Sequence, residues 1–177
     1  MPNALDKLTI KGFKSIRAFE DFELTNLNIL IGGNGAGKSN FIEFFRLLRA
    51  IIDNNLNEFI RNGGGISDFL FNGRKVTSQL DFEMRFGPRG YRFQIVPGTK
   101  EQWPIADEAR FYQGGTSDWR GLGDSDDGTS LLVKEALSES ANSKYSKPVY
   151  DAITSWQIYH FHDTSTAQRP PCPHDKG

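Results

Sequence analysis

The chain has 177 residues, of which 37% are hydrophobic and 24% charged, and its formal net charge at pH 7 is −1. This size and balance indicate one soluble domain, and no apolar run approaches the roughly 18 residues of a membrane-spanning helix. The one cysteine, Cys172, excludes an intramolecular disulfide and is typical of the reducing cytoplasm, where we expect the protein to reside. Because the net charge is near zero, a nucleic-acid partner would require a local basic patch.

Three short apolar segments occupy the first part of the chain. Residues 8–10 and 22–24 are predicted strands. Residues 27–31, Leu-Asn-Ile-Leu-Ile, form an almost continuous apolar run. Such a run is typical of a strand that is buried on both faces of a parallel sheet.

A glycine-rich loop follows this third segment and is the most informative motif of the chain. Its residues are Gly32, Gly33, Asn34, Gly35, Ala36, Gly37, Lys38 and Ser39, which match the pattern Gly-x-x-x-x-Gly-Lys-Ser/Thr in full. Glycines allow the backbone N–H groups to surround an oligophosphate. Lys38 is then expected to reach the β- and γ-phosphates, and the Ser39 hydroxyl to bind Mg²⁺. The motif therefore predicts ATP and Mg²⁺ as ligands.

The residues after the loop are predicted to form an amphipathic helix over 39–53. Its apolar residues recur at intervals of three and four positions, namely Phe41, Phe44, Phe45, Leu48, Ile51 and Ile52. The positive N-terminal end of this helix would face the bound phosphates, which strengthens the interpretation of the loop.

An antiparallel hairpin is the clearest strand signal. Leu80, Phe82, Met84 and Phe86 alternate with polar residues, a turn follows at 87–90, and Tyr91, Phe93 and Ile95 continue the alternation. A further strand is predicted within 103–112, interrupted near Pro104. We therefore expect a β-meander at 75–112, inserted into a P-loop domain.

The rest of the chain has weaker signals. Residues 113–130 are rich in turn-forming residues and are expected to form a flexible loop. Short helices are predicted at 130–138 and from Pro148, followed by a strand near 157–161. The expected organisation is a domain over 1–165 and an unstructured tail over 166–177. The predicted fold class is α/β, with a mixed sheet and the phosphate loop between a buried strand and a helix.

Two segments resemble a known family. Residues 11–16, Lys-Gly-Phe-Lys-Ser-Ile, and residues 27–41, which contain the loop and continue into Asn40-Phe41, resemble the N-terminal lobe of ABC-type ATPases of the SMC, RecF and OLD-like group. Residues 156–165 are similar to a later region of predicted bacterial ATPases of this AAA type. The resemblance covers most of the chain and is most specific over residues 8–45.

The resemblance implies a division of roles among residues. In that family, two nucleotide-binding domains enclose two ATP molecules. By resemblance, residues 32–39 and Asn40 would contact the phosphates and Mg²⁺. Residues 11–15, which include Lys14 and Ser15, would lie near the base or ribose. Gln157, or a polar group of residues 160–163, would take the place of the Q-loop glutamine, which contacts Mg²⁺ and senses the γ-phosphate.

The family's second lobe, with its signature helix and the Walker B strand that ends in Asp-Glu, has no convincing counterpart here. Residues 104–108, Pro-Ile-Ala-Asp-Glu, imitate Walker B, but Pro104 is unsuited to a buried parallel strand, and we expect an exposed acidic pair. A dimer or a partner chain would then supply the missing parts. We expect ATP hydrolysis in that assembly, little activity from this chain alone, and no membrane partner.

Several alternatives stay open at this stage. The chain is also compatible with a P-loop phosphotransferase that acts on a small molecule, or with a truncated, inactive nucleotide-binding fragment. Lys7, Lys11, Lys14 and Arg17 form either a DNA-contacting surface or, more simply, a solvated strand edge. His160, His162, Cys172 and His174 are candidate metal ligands in a segment with no pattern that would preform the site.

Overall fold

The computed structural model describes residues 4–98, 102–114 and 118–159. In these ranges the chain forms six strands and five helices. Their order is β1 (Lys7–Phe13), β2 (Ile16–Glu23), α1 (Lys38–Ile52), α2 (Leu56–Asn62), α3 (Ile66–Phe69), β3 (Leu80–Phe86), β4 (Arg89–Ile95), β5 (Ile105–Tyr112), β6 (Trp119–Ser125), α4 (Leu131–Ala136) and α5 (Ser143–Thr154). None of the helices in the described ranges has the length and apolarity required to cross a membrane.

All six strands belong to one sheet with the order β2-β1-β3-β4-β5-β6. Every pairing between these strands is antiparallel. The mixed sheet predicted from the sequence is therefore not found in the described part of the chain. The meander is not an insertion at one side of a parallel sheet, because its strands continue the same sheet as β1 and β2.

The predicted hairpin is confirmed. β3 and β4 pair in register from Leu80 opposite Ile95 to Phe86 opposite Arg89. Alternate residues of β3 are buried, and the polar residues between them face the other side of the sheet. The period-two pattern therefore predicted both the strands and the buried face.

The predicted helix after the glycine-rich loop is also confirmed and spans Lys38–Ile52. Its apolar side covers the sheet, with Phe44, Leu47, Leu48 and Ile51 fully buried. The Phe44 ring stacks on that of Phe82 in β3, with 5.3 Å between the ring centroids. Aromatic pairs at this distance add packing energy to the area that they bury, so the helix is held firmly against the sheet.

The predicted buried strand at 27–31 is absent. These residues belong to no strand, and the exposed fractions of Leu27, Ile29 and Ile31 are 76%, 73% and 92%. An apolar run of this kind is buried in a sheet only where neighbouring strands pair with it. No strand of the described residues pairs with this segment.

The turn-rich segment 113–130 was expected to form a flexible loop, but its residues Trp119–Ser125 form strand β6. The meander consequently extends to Ser125 and not only to residue 112. Trp119 pairs with Phe111 of β5, and its ring lies 4.4 Å from the guanidinium of Arg85. Contacts from neighbouring strands thus stabilise a segment whose two glycines, Gly121 and Gly123, disfavour a strand locally.

The C-terminal predictions need two corrections. α5 begins at Ser143, before Pro148, so Pro148 lies inside the helix and not at its first turn. Residues 157–159 are not in a strand. The remainder of the predicted strand at 160–161, the expected end of the domain at 165 and the predicted tail at 166–177 lie outside the described residues.

Glu108 has a structural role that the sequence did not indicate. It was expected to be exposed beside Asp107, but it is fully buried. Its Oε1 accepts hydrogen bonds from Tyr91 Oη (2.8 Å), Ser130 Oγ (2.6 Å) and Leu132 N (3.0 Å), and its Oε2 accepts one from Leu131 N (2.7 Å). Burial, together with the charge of Glu108, raises the pKa of Tyr91 well above its ordinary value. Glu108 therefore joins β4 and β5 to the start of α4.

We predict that Glu108→Gln lowers the free energy of unfolding by about 2–4 kcal/mol, because an amide cannot accept all four buried hydrogen bonds. The matched control is Asp107→Asn at the adjacent position, where the side chain is exposed and the backbone φ is 45°. Asparagine tolerates this left-handed conformation, so the control should change stability by less than about 0.5 kcal/mol. Chemical denaturation monitored by tryptophan fluorescence gives both values. Equal stability of the two variants would contradict the role assigned to Glu108.

Candidate functional site

The glycine-rich loop surrounds a cavity of about 380 Å³, lined by residues 34–40. Gly35 and Gly37 have φ angles of 86° and 90°, in the left-handed region that favours glycine. A hydrogen bond from Ala36 N to Gly33 O, 3.3 Å long, closes a turn within the loop. The two glycines therefore allow the tight curvature that makes the cavity.

The N-terminus of α1 forms one wall of this cavity. The first hydrogen bond within the helix runs from Phe41 N to Gly37 O at 2.9 Å, and no side chain caps the helix. The N–H groups of Lys38, Ser39 and Asn40 precede that bond and have no acceptor within the helix. These unpaired donors and the positive end of the helix dipole favour an anion in the cavity.

The Lys38 side chain folds back onto the loop and binds the carbonyl groups at its start. Its Nζ donates hydrogen bonds to Gly32 O at 2.5 Å and to Gly33 O at 2.8 Å. Both acceptors are neutral carbonyls, whereas a phosphate oxygen offers a stronger, charge-assisted bond to the same ammonium group. Lys38 thus lies next to the cavity. A phosphate that enters the cavity is expected to replace the two carbonyl groups as the acceptor for the Lys38 ammonium group.

The turn between β1 and β2 lies against the loop. Asn40 Nδ2 donates a hydrogen bond to Ser15 Oγ at 2.8 Å. A Cβ at Gly37 would lie only 2.9 Å from the same Ser15 Oγ, so the absence of a side chain at Gly37 permits this close approach. Ser15 and Asn40 therefore fasten the β1–β2 turn to the start of α1, a contact that the loop motif alone did not reveal.

Lys14, expected from the resemblance to lie near the base or ribose, contacts Glu43 and Phe69 in the structure. Its Nζ lies 3.8 Å from a carboxylate oxygen of Glu43 and 4.5 Å from the centroid of the Phe69 ring. Neither Lys14 nor Ser15 is among the residues that line the cavity. For Ser15, the structure shows a contact with the loop; its contact with a nucleotide stays a prediction.

Gln157, the expected Q-loop residue, lines a separate groove of about 630 Å³ together with Leu30 and Phe41. Its Oε1 accepts a hydrogen bond from the Tyr159 hydroxyl. The structure does not bring Gln157 to the cavity lined by residues 34–40. Its proposed contact with Mg²⁺ also stays a prediction.

The described residues that line the cavity include no carboxylate. Across residues 4–98, 102–114 and 118–159, no group of three or more His, Cys, Asp or Glu residues is arranged to hold a metal ion. Glu108 of the Walker B-like segment is occupied with capping α4. The candidate metal ligands His160, His162, Cys172 and His174 lie outside the described residues. Ser39 is thus the one expected Mg²⁺ ligand that the structure places at the cavity.

The lysines of the basic cluster are paired with acids. Nζ–carboxylate distances are 3.5 Å for Lys7 and Glu23 and 2.8 Å for Lys11 and Glu20. The hydrogen bond with Glu20 raises the pKa of Lys11. Because each of the three lysines of the cluster has a neighbouring carboxylate, the arrangement favours the solvated strand edge over a DNA-contacting surface.

The sequence was compared with known protein families, curated proteins and solved structures, and it matches one family. Residues 27–164 match the model of a family described as "AAA domain, putative AbiEii toxin, Type IV TA system". No curated protein and no solved structure is similar enough to match the chain. The matched region begins with the apolar segment before the loop, includes the whole cavity and covers more than half of the chain. The chain therefore belongs to this family of AAA-type, P-loop ATPase-like domains.

Proposed function

We propose that this chain binds ATP together with Mg²⁺ in the cavity formed by residues 32–39. The observation that carries the proposal is the complete phosphate-loop motif, folded around a cavity at the N-terminus of a 15-residue helix. The unpaired N–H groups of residues 38–40 bind phosphate oxygens. Lys38 neutralises the β- and γ-phosphates, and the Ser39 hydroxyl binds Mg²⁺.

The cellular role proposed for the domain is an ATP-dependent conformational switch of the SMC, RecF and OLD-like kind, acting in DNA maintenance or in defence against phages. Residues 11–16 and 27–41 support it through the resemblance described above. The family description names an "AbiEii toxin" and a "Type IV TA system", which is compatible with a role in defence. A DNA contact is not part of the proposal, because the lysines Lys7, Lys11 and Lys14 are paired with acids.

ATP hydrolysis is proposed for an assembly and not for the isolated chain. P-loop ATPases need a residue that orients the attacking water, in addition to the lysine and the metal. Among the described residues, none with a carboxylate lines the cavity. A dimer, or a partner chain that carries the signature helix and Walker B, supplies this residue.

No specific observation favours the alternative of a small-molecule kinase. That hypothesis requires an acceptor pocket facing Lys38 and an arginine-rich lid. The segment considered for the lid, 113–130, contains β6. The remaining alternative, a truncated and inactive nucleotide-binding fragment, also predicts ATP binding and differs from the proposal only in predicting no hydrolysis in any assembly.

We predict that Lys38→Ala weakens ATP binding by about tenfold to a hundredfold, because it removes charge-assisted hydrogen bonds to the phosphates. Ser39→Ala should weaken binding in the presence of Mg²⁺ but leave Mg²⁺-free binding nearly unchanged. Calorimetry with a slowly hydrolysed ATP analogue, with and without MgCl₂, measures both effects.

Lys75→Ala is the matched control, since Lys75 is an exposed lysine outside the loop. The control should bind the analogue like the unmodified chain. Unmeasurable binding by the unmodified chain, or equal binding by Lys38→Ala, would reject the proposed function.

We predict that Ser15 and Asn40 act on ATP binding as a pair. Each single substitution by alanine should weaken binding by about threefold to tenfold, because the β1–β2 turn no longer restrains the loop. The double variant should be hardly weaker than either single variant, which corresponds to a coupling of about 1 kcal/mol. Ser78→Ala, at another exposed serine, is the control. Additive losses would show that Ser15 and Asn40 act independently, for example through separate contacts with the nucleotide.

We predict that the isolated chain releases phosphate from ATP at the background rate, indistinguishable from that of Lys38→Ala. The physical reason is that no described residue with a carboxylate lines the cavity to orient the attacking water. A coupled phosphate-release assay with both proteins makes the comparison. Turnover above background that Lys38→Ala abolishes would place the whole catalytic machinery in this chain.

A further inference from the structure

A second cavity, of about 400 Å³, lies where α2, the loop before β3 and the segment before β5 meet. It is lined by two arginines, Arg61 and Arg74, by Ser67 and by Trp103. Its volume is within the range of about 300–1,000 Å³ that is typical of small-molecule sites. The described residues that line it share none with the cavity of the glycine-rich loop, so it is a separate place on the protein.

The two arginines of this cavity have no acidic partner among the described residues. No described carboxylate oxygen lies within 4.0 Å of a side-chain nitrogen of Arg61 or Arg74. The guanidinium of Arg74 lies 5.7 Å from the centroid of the Trp103 ring, near the outer limit of about 6 Å for a cation–π contact. Two positive charges at one cavity, without a counter-charge in its described lining, favour an anion there.

Trp103 provides a second, independent observation. The residue is 6% exposed, and its indole Nε1 is buried without a hydrogen-bond partner in the described part of the chain. Its backbone is fixed, because Trp103 N donates a hydrogen bond to Asn57 Oδ1 at 3.0 Å. The great majority of buried N–H groups have an acceptor, and an unpaired one indicates an acceptor from outside these protein groups. An anion in the cavity that Trp103 lines is such an acceptor.

The chemistry of the lining favours a phosphate monoester. Near pH 7 a monoester carries a charge of about −1.5 to −2, which matches the two charges of Arg61 and Arg74. The planar guanidinium group binds two phosphate oxygens at once through charge-assisted hydrogen bonds, and the Ser67 hydroxyl is a further donor. A carboxylate or a phosphodiester carries one charge and matches less well. A phosphate group fills only part of the cavity, which leaves room for a small organic group.

One acid lies beside the cavity and opposes an anion in it. Asp68 packs against Gly64, one of the lining residues: a Cβ at Gly64 would lie only 2.0 Å from Asp68 Oδ2. Asp68 itself is not a lining residue. Its charge therefore weakens the attraction without filling the site, and its removal should strengthen binding.

From these observations we infer that the cavity lined by Arg61, Arg74 and Trp103 binds the phosphate group of a small phosphate monoester. This inference does not depend on the proposed ATP site, because the two cavities have no described lining residue in common. Failure of ATP binding leaves it unaffected, and its failure leaves the proposed ATP site unaffected.

The probe for the test is phenyl phosphate, titrated into the full chain near neutral pH. NMR follows the indole N–H signal of Trp103, which is identified among the three tryptophans by its loss in Trp103→Phe. We expect a saturable shift of this signal. Benzoate, which offers a carboxylate on the same ring, should bind about tenfold more weakly or worse. Lys38→Ala should leave the titration at Trp103 unchanged, which separates this cavity from the glycine-rich loop.

The side chains are tested by Arg61→Gln and Arg74→Gln. Both residues are exposed, so the fold should be retained while the affinity for phenyl phosphate falls by about tenfold or more. Arg120→Gln, at an exposed arginine on β6, changes the net charge equally and should alter the affinity by less than about twofold. Asp68→Asn should raise the affinity by about twofold to fivefold, because it removes a like charge.

Five results would overturn the inference. The first is no saturable shift at Trp103. The second is a loss in the Arg61 and Arg74 variants no larger than in Arg120→Gln, which would show non-specific attraction. The third is a shift that Lys38→Ala abolishes, which would place the phosphate in the glycine-rich loop. The fourth is a shift that appears only in Glu101→Gln, which would identify Glu101, outside the described residues, as the anion of the cavity. The fifth is tighter binding of an oligothymidylate without terminal phosphates, which would identify a nucleic-acid backbone.

Discussion

The packing of α1 on the sheet is the constraint on which the rest of the structure depends. The helix closes the hydrophobic core with Phe44 and Leu48, and its first turn forms a wall of the phosphate-loop cavity. Because one rigid helix does both, the position of the loop is fixed by the core and not by the loop itself. The contact between Ser15 and Asn40 adds a second attachment at the same end of the helix. The cavity is therefore preorganised before any ligand enters it.

In the part of the chain that the structure describes, no acidic side chain lines the cavity, and several acidic side chains bind other parts of the domain. Glu108 links β4, β5 and α4 through four hydrogen bonds. Glu20, Glu23 and Glu43 pair with lysines of the first strands and turn. A glycine-rich loop whose described lining includes no carboxylate agrees with the proposal that ATP hydrolysis requires an assembly.

The sequence by itself determined the elements whose signals are local. Alternation predicted the hairpin of β3 and β4, the three-to-four spacing predicted α1, and the glycines with Lys38 and Ser39 predicted the loop. The remaining features were decided only by the tertiary structure, because each of them depends on residues that are distant in the chain. Residues 27–31 have the composition of a buried strand but no neighbouring strand, and β6 forms through the contacts of Trp119 with β3 and β5. Glu108 is buried because the donors that satisfy its charge come from residues at least 17 positions away, which no local pattern specifies.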